Sequence, residues 1–256
     1  MATIAELQSY QRKAAARTRI TVACPPFYLY IHPTDNFRFL NYAIPDAPVE
    51  RLGRDDLARL RVAFARQGRL MRFEFIHEYT PQLRGLLEGL GVPAESEAPL
   101  LVCTQETWRE AAGPAGLEIL RLTADSPETY LAAQITVSSR GFGGDGREVN
   151  AERIADLRRR LRLGSGHYLA LLGGIPVGVG AYTVPVDGFS ELVAIATLPA
   201  YRRRGIAGAL TATIARDLLA AEVRTILLTA ADDAASRVYQ RAGFGRAGTA
   251  LAFCEG

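Results

Sequence analysis

The sequence has little lysine, and its charges nearly balance. Lys13 is the only lysine among 30 basic residues, and with 27 acidic residues the formal net charge is +3. A nucleic-acid binder usually carries a larger basic excess concentrated on one face, so we expect no nucleic-acid partner. The arginine run at 158–160, with Arg162, is typical of a solvated helix face. No aromatic residues are interleaved with that run to stack on bases.

Cysteine and histidine are also scarce, with three residues of each. Cys24, Cys103 and Cys254 lie far apart, their number is odd, and no C-x-x-C pair occurs. This pattern excludes a closed disulfide framework and a zinc finger, and the scattered histidines do not form a metal cluster. We therefore expect buried free thiols, a reducing cytoplasm and no metal.

The sequence lacks the long apolar runs of a signal peptide or a membrane helix. Its first 20 residues have the period of an amphipathic helix. The segment 163–186 carries no formal charge and is long enough to span a bilayer, but it contains six glycines and two prolines. Because Gly173–Pro176 is typical of a turn, we predict two strands joined by a hairpin and no membrane association.

The 256 residues suffice for one large domain or two small ones. Small residues and a proline at 111–116 are typical of a linker. We therefore predict a boundary at 112/113, with one domain at 1–112 and a second at 113–256. Helical and strand patterns alternate along the second half, which indicates a mixed α/β domain.

The first half repeats part of this order. A shift of 152 positions places Gly53 on Gly205 and Gly91 on Gly243. Each half then contains a strand followed by a helix that ends at a glycine. We interpret this correspondence as a weak internal repeat.

The most informative stretch runs from Glu191 to Leu210. A strand ends near Pro199, three arginines and Gly205 form a turn, and a helix follows. Unpaired backbone N–H groups at a helix N-terminus bind anions, and a pyrophosphate is well suited to them. Gly205 and Ala207 remove side chains that would block its approach, and the arginines add positive charge.

This stretch resembles the GNAT acyltransferases, the GCN5-related N-acetyltransferase superfamily. Their R/Q-x-x-G-x-G/A signature is matched at Arg202, Gly205 and Ala207. A second element of the family, N-x-x-A-x-x-x-Y-x-x-x-G-F, is matched at Asp232, Ala235, Tyr239, Gly243 and Phe244, with aspartate in the asparagine position. The resemblance covers about residues 117–253.

The resemblance implies a GNAT-like fold: a mostly antiparallel central sheet with flanking helices, in which two strands splay apart around acetyl-CoA. Together with the repeat, it suggests a tandem of two GNAT-like units. The implied coenzyme-binding residues are Ile195, Ala196, Thr197, Arg202, Arg203, Arg204, Gly205, Ile206, Ala207, Gly208, Asp232, Ala235 and Tyr239. Asp232 either contacts the pantetheine arm or only caps its helix.

Two residues are candidates for proton transfer. Tyr239 matches the family tyrosine beside the coenzyme sulfur, where its hydroxyl would protonate the departing thiolate. Glu191 would take the proton of the amine, and strand periodicity predicts that Glu191, Val193, Ile195 and Thr197 share one face. The alternatives are a core tyrosine, an exposed strand-end carboxylate and a water chain acting as the base.

The stretch Gly141–Gly146 fits G-x-G-x-x-G, but a dinucleotide fingerprint must follow a strand, and here a helix is predicted before it. It either borders the acceptor site or is a plain linker.

In the shifted alignment Asp55 and Asp56 fall where phosphates would bind, and Leu87 replaces the tyrosine. We expect the first half to bind no coenzyme, and to form one wall of the acceptor pocket or cover a sheet edge.

The sequence thus predicts an acetyl-CoA-dependent N-acetyltransferase in which an amine attacks directly in a ternary complex. The alternative is a non-catalytic acyl-CoA-binding or interaction protein. The acceptor is a small-molecule amine, or a protein N-terminus or lysine, and a homodimer is left open.

Overall fold

The computed structural model describes residues 2–146 and 149–255 and shows a mixed α/β protein. It forms two compact units. One contains the chain up to Leu100 together with the chain from Ala247 onward, and the other contains Leu101–Arg246. Among the described residues, no helix is long and apolar enough to cross a membrane.

The elements follow in this chain order: α1 (Ile4–Thr18), β1 (Ile20–Cys24), β2 (Phe27–Ile31), β3 (Tyr42–Pro45), α2 (Arg54–Arg66), β4 (Arg72–Ile76), α3 (Pro81–Gly89), β5 (Ala94–Cys103), β6 (Leu117–Leu122), α4 (Glu128–Gly141), α5 (Ala151–Arg162), β7 (Gly166–Leu172), β8 (Ile175–Tyr182), β9 (Phe189–Thr197), α6 (Ile206–Ala220), β10 (Thr225–Thr229), α7 (Asp233–Arg241) and β11 (Gly245–Cys254).

The first unit contains a mostly antiparallel sheet with strand order β1-β2-β3-β4-β11-β5. Strands β3 and β4 are parallel, whereas β1 pairs with β2, β2 with β3, and β4 with β11 in antiparallel fashion. Phenylalanines from β2, β4 and β11 lie in one fully buried cluster with leucines of α2 and α3. This cluster is the core of the unit.

The second unit has strand order β10-β9-β8-β7-β6, in which only β9 and β10 are parallel. Both faces of its sheet are covered. Tyr168 and Ala170 of β7 lie in a cluster with α6, whereas Leu169 and Leu171 lie in a second cluster with α4 and α5. Alternate residues of a strand face opposite sides, so α6 packs on one face and α4 and α5 on the other.

Local sequence explains several boundaries. Gly173 and Gly174 have φ of 58° and 80° and form the two-residue turn between β7 and β8. A hairpin turn with both residues at positive φ favours two glycines, so the hairpin predicted within 163–186 is confirmed. Asp232 caps α7 by accepting the N–H of Ala235 at 2.7 Å.

The two units repeat one order of elements: three strands, a helix, a strand and a helix. These are β1-β2-β3-α2-β4-α3 in the first unit and β7-β8-β9-α6-β10-α7 in the second. The offset of 152 residues places Gly53 and Gly205 at the N-caps of α2 and α6. It also pairs Gly91 with Gly243, which both have positive φ. The structure therefore supports the repeat.

The compact units do not follow the predicted division at 112/113. The first unit ends at Leu100 and takes in the chain from Ala247, because β11 pairs antiparallel with β4 from Ala250↔Ile76 to Cys254↔Arg72. The last strand of the sequence thus completes the first sheet. Backbone pairing, which the residue pattern of β11 does not reveal, decides where it belongs.

Candidate active site

Strands β9 and β10 form a parallel ladder over only three residue pairs. Their parallel register runs from Phe189↔Thr225 to Glu191↔Leu227. Beyond Glu191, β9 continues to Thr197 and pairs with β8 on its other edge. In the described part of the chain, the edge of β9 after Glu191 therefore has no strand partner on the β10 side. The gap between the two strands begins at Glu191.

A β-bulge divides β9. Ala194 has φ of 55°, and the register between β8 and β9 shifts between Val179 and Ala181. Leu192 and Ile195 consequently pack on the same core cluster, the one that contains α6. Ordinary alternation would place them on opposite faces, and an inserted bulge residue reverses it.

The prediction that Glu191, Val193, Ile195 and Thr197 share one face is therefore wrong beyond Val193. Thr197 pairs with Gly178, and a Cβ added at Gly178 would lie 3.0 Å from Ile206 Cγ2. This places Thr197 on the face of the sheet that α6 covers and Glu191 on the opposite face.

The turn before α6 presents backbone donors. Gly205, the N-cap, has φ of 85°, and Ala209 is the first residue whose N–H bonds within the helix, at 3.0 Å from Gly205 O. Among the described residues, the N–H groups of Ile206, Ala207 and Gly208 have no acceptor. A left-handed N-cap without a side chain leaves these donors open to an anion.

A buried hydroxyl lies beside this turn. Thr197 is 8% exposed, and no described atom forms a hydrogen bond with its Oγ1. An unpaired buried hydroxyl costs free energy unless a ligand or water satisfies it. The hydroxyl is therefore suited to a polar group of a molecule bound in the gap.

The three arginines of the turn differ in their contacts. Arg202 donates from Nε to Thr197 O at 3.2 Å and from Nη2 to Gly141 O at 2.8 Å. Arg204 lies over the Tyr201 ring, 5.3 Å from its centroid, and donates to Ala200 O. Arg203 is exposed and has φ of 62°. Of the three arginines, Arg202 differs in that its guanidinium bonds backbone carbonyls of two different elements, β9 and α4.

Helix α7 carries the candidate acid. Tyr239 is half-buried against the core cluster of α6, and no hydrogen bond joins its hydroxyl to any described residue. Burial raises the pKa of Tyr239 to about 12, and the nearby Asp232 carboxylate adds to the increase. The hydroxyl is therefore a neutral donor. Ala235, one turn earlier, packs on the same cluster.

Glu191 lies where the gap opens. It is half-buried, its N–H donates to Thr183 Oγ1 at 3.1 Å, and its carbonyl accepts the Thr183 N–H at 2.9 Å. These bonds fix the backbone of Glu191 at this point. The structure thus places the candidate base at the vertex of the gap and the turn before α6 beyond its other end.

Two features of the second unit were not predicted from the sequence. Gly141 ends α4, and a Cβ added to it would lie 2.7 Å from Ala196 Cβ and 3.6 Å from Thr197 N. The last turn of α4 therefore packs directly on the predicted coenzyme strand. The stretch 141–146 follows this helix, so the requirement for a preceding strand is not met. A helix-terminal glycine is too common a signal to reveal such a contact.

The second feature is a buried histidine on the α4 and α5 face. His167 Nδ1 lies 3.2 Å from Gln134 Nε2, and both side chains are buried. Burial lowers the pKa of His167 to about 3, and the Arg160 guanidinium contributes to the decrease. His167 is therefore neutral in the folded protein at neutral and mildly acidic pH.

This neutral histidine predicts acid sensitivity. The unfolded chain protonates His167 near pH 6.5 and the folded chain near 3, so the free energy of unfolding falls as pH drops between those values. The loss approaches about 1.4 kcal/mol per pH unit well below pH 6.5, so we expect about 1.6 kcal/mol less stability at pH 5 than at pH 6.5. Urea denaturation at both pH values, compared with His167→Gln, measures the effect. Equal pH dependence in the two proteins would contradict it.

The comparisons with known proteins agree with this geometry. Residues 137–244, which lie within the second unit, match the model of the acetyltransferase (GNAT) family. No curated protein matches the chain.

Solved structures of GNAT proteins resemble the whole chain. A GCN5-related N-acetyltransferase from Kribbella flavida is 25% identical, with a TM-score of 0.79, covering 100% of this chain and 96% of its own. A tandem GNAT protein from the clavulanic acid biosynthesis pathway is 14% identical, with a TM-score of 0.63 and coverages of 90% and 78%. A GCN5-related N-acetyltransferase from Sphaerobacter thermophilus is 17% identical, with a TM-score of 0.61 and coverages of 90% and 76%. The tandem GNAT-like fold predicted from the sequence is confirmed.

Among the described residues, no group of three or more histidine, cysteine, aspartate or glutamate side chains could hold a metal ion.

Proposed function

We propose that the second unit is an acetyl-CoA-dependent N-acetyltransferase that acts on a primary amine in a ternary complex. The observation that carries the proposal is the gap between β9 and β10, which begins at Glu191 and leads to the unpaired amides of Ile206–Gly208. A carboxylate at one end of the gap can accept a proton from an amine. Unpaired amides beyond the other end can bind the phosphates of an acetyl donor.

The described residues fit the coenzyme. Acetyl-CoA supplies the acetyl group as a thioester and carries a pyrophosphate for the turn. The amides of Gly205–Gly208 and the charge of Arg203 and Arg204 would hold that pyrophosphate. The edge of Ile195–Thr197 would pair with the pantetheine arm, and an N–H there would polarise the thioester carbonyl. Thr197 Oγ1 is a buried polar atom that this arm would satisfy.

Two side chains would move protons. Tyr239 remains neutral, because burial raises its pKa to about 12, and its hydroxyl would donate to the negative charge that develops on the sulfur. Glu191 would accept the proton of the amine, directly or through water. Its position at the vertex of the gap supports this role, and a chain of waters is the alternative.

Asp232 is proposed as a capping residue rather than a coenzyme ligand. Its Oδ1 accepts the Ala235 N–H at 2.7 Å, so one carboxylate oxygen is already engaged by the helix. A carboxylate accepts hydrogen bonds but cannot donate them, whereas asparagine can do both. The aspartate therefore keeps the cap of α7 without the amide donor of the family residue.

The first unit is proposed to bind no coenzyme. At the start of α2, Asp56 Oδ2 accepts the Gly53 N–H at 2.8 Å, and this bond lowers the pKa of Asp56. The carboxylate therefore remains ionised beside the helix N-terminus, where it would repel a pyrophosphate. Asp55 adds a second negative charge in the same turn.

Helix α1 also occupies the space between the ends of β3 and β4. Arg12 donates to Pro45 O at 2.9 Å, and the buried Gln8 accepts the Ile76 N–H at 2.8 Å. In the shifted alignment Pro45 corresponds to Thr197, so the place of the coenzyme strand is engaged by the protein itself. These bonds satisfy the strand ends that a pantetheine arm would use.

Isothermal titration with acetyl-CoA, followed by a thiol-release assay on a panel of amines, tests the proposal. We expect one site per chain and release of coenzyme A with a small-molecule or peptide amine. Two sites per chain would contradict the inactive first unit. Binding without transfer to any amine would favour an acyl-CoA-binding protein, and absence of binding would refute the proposal.

A further inference from the structure

Arg202 joins the coenzyme turn to the end of α4. Its guanidinium bonds Thr197 O at 3.2 Å and Gly141 O at 2.8 Å through two different nitrogens. A planar guanidinium can donate in two fixed directions at once. The side chain therefore connects the last residue of the coenzyme strand with the last residue of a helix on the other face of the sheet.

The contact at Gly141 is close and specific. No side chain fits there, because a Cβ at Gly141 would lie 2.7 Å from Ala196 Cβ. Gly141 O is one of the carbonyls that a helix leaves unpaired at its C-terminus, and a cation is favourable at that end. Arg202 therefore supplies a hydrogen-bond donor to Gly141 O, a carbonyl that has no partner within α4.

The chain immediately beyond Gly141 is glycine-rich and exposes an aromatic side chain. Phe142 is 65% exposed, and Gly143 and Gly146 have φ of 86° and 94°. The bonds of Gly143 N to Arg140 O and Gly144 N to Ser139 O hold the start of this loop to α4. Arg202 thus fixes the base of a loop that begins beside Ala196 and Thr197.

We propose that Arg202 is a positioning residue that transmits coenzyme binding to the loop 142–146, rather than a phosphate ligand. This inference rests on the proposed function. An anion held by the amides after Gly205 would fix the turn that carries Arg202, and Arg202 would in turn fix Gly141. Thermodynamic coupling is reciprocal, so an ordered loop would also favour the bound coenzyme.

Hydrogen exchange of residues 139–146, measured with and without coenzyme A, tests the coupling in the full chain. In the wild-type protein, we expect coenzyme A to slow exchange in this segment about fivefold or more. Arg202→Ala should still bind coenzyme A, with affinity reduced by no more than about tenfold, the modest effect expected of an indirect coupling. It should lose the coenzyme-dependent slowing.

Two matched variants separate coupling from charge. Arg203→Ala removes the same charge one residue away without touching Gly141 or Thr197, so the slowing should persist while the salt dependence of coenzyme A affinity decreases. Arg202→Lys retains the charge but not the planar fork, so it should resemble Arg202→Ala in exchange. Salt dependence should stay at the wild-type value in Arg202→Lys, which retains the charge.

Each other outcome is decisive. Retained slowing in Arg202→Ala, or no slowing in a wild-type protein that binds coenzyme A, would overturn the coupling alone. A loss of coenzyme A affinity far beyond tenfold in Arg202→Ala would identify a phosphate ligand and also overturn it. Failure of the wild-type protein to bind coenzyme A would remove the proposed function together with the coupling.

Discussion

Gly205→Glu is expected to weaken acetyl-CoA binding by about 100-fold or more. Gly205 has φ of 85°, a conformation that costs a residue with a side chain about 1–2 kcal/mol. A Cβ would lie 3.3 Å from Ala112 O, and the new carboxylate would stand beside the unpaired amides of Ile206–Gly208. Titration calorimetry measures the loss, and circular dichroism with a thermal melt verifies that the variant folds.

Gly53→Glu is the matched control, because the repeat places Gly53 at the same N-cap position in the first unit. Gly53 has φ of −108°, so a side chain there needs no left-handed backbone, and Asp56 already supplies a negative charge to this turn. We expect acetyl-CoA affinity within about twofold of the wild-type value, the small effect of a substitution away from the ligand. If Gly53→Glu abolished binding and Gly205→Glu did not, the coenzyme site would lie in the first unit.

The sequence predicted the glycine turn before α6 because local chemistry determines it. A residue that must adopt positive φ before a helix is almost always glycine, and Gly205 is visible as such. The hairpin at Gly173–Gly174 and the cap at Asp232 follow from equally local rules. Features that a residue's own type reveals, such as a glycine at positive φ or an aspartate at an N-cap, were therefore predictable.

The face of the sheet on which each residue of β9 lies was not predictable, because the residue pattern does not reveal the bulge at Ala194. Alanine is uncommon at φ of 55°, and its side chain gives no indication of that conformation. Strand periodicity is reliable only while the ladder is regular, and one extra residue exchanges the two faces. The error put Glu191 and Thr197 together, whereas the structure separates them.

Partners distant in sequence were missed for a related reason. The pairing of β11 with β4 joins residues more than 170 positions apart, between Cys254 and Arg72. The bond from Arg202 to Gly141 likewise depends on the packing of α4 against β9. The arginine was recognised from its motif and expected to bind phosphate, but its bond partners follow only from tertiary structure.

Tyr239→Phe is expected to lower kcat about 100-fold while acetyl-CoA affinity stays within about twofold. The substitution removes only the hydroxyl, which has no hydrogen-bond partner among the described residues, and keeps the ring against the core cluster of α6. A residue that serves only packing would tolerate this change well. Steady-state kinetics with an amine identified in the panel, together with calorimetry on the same protein, separates turnover from binding.

Tyr168→Phe provides the contrast that a purely structural tyrosine would give. Tyr168 belongs to the same core cluster, and burial raises its pKa as well, but its hydroxyl donates to Asp217 Oδ2 at 2.9 Å. Loss of that bond should lower Tm and leave kcat unchanged.

Since the pKa of Tyr239 is about 12, its ionisation should not reduce wild-type kcat below about pH 11. Full turnover in Tyr239→Phe would show that the thiolate departs without this hydroxyl, and the acid would then have to be water.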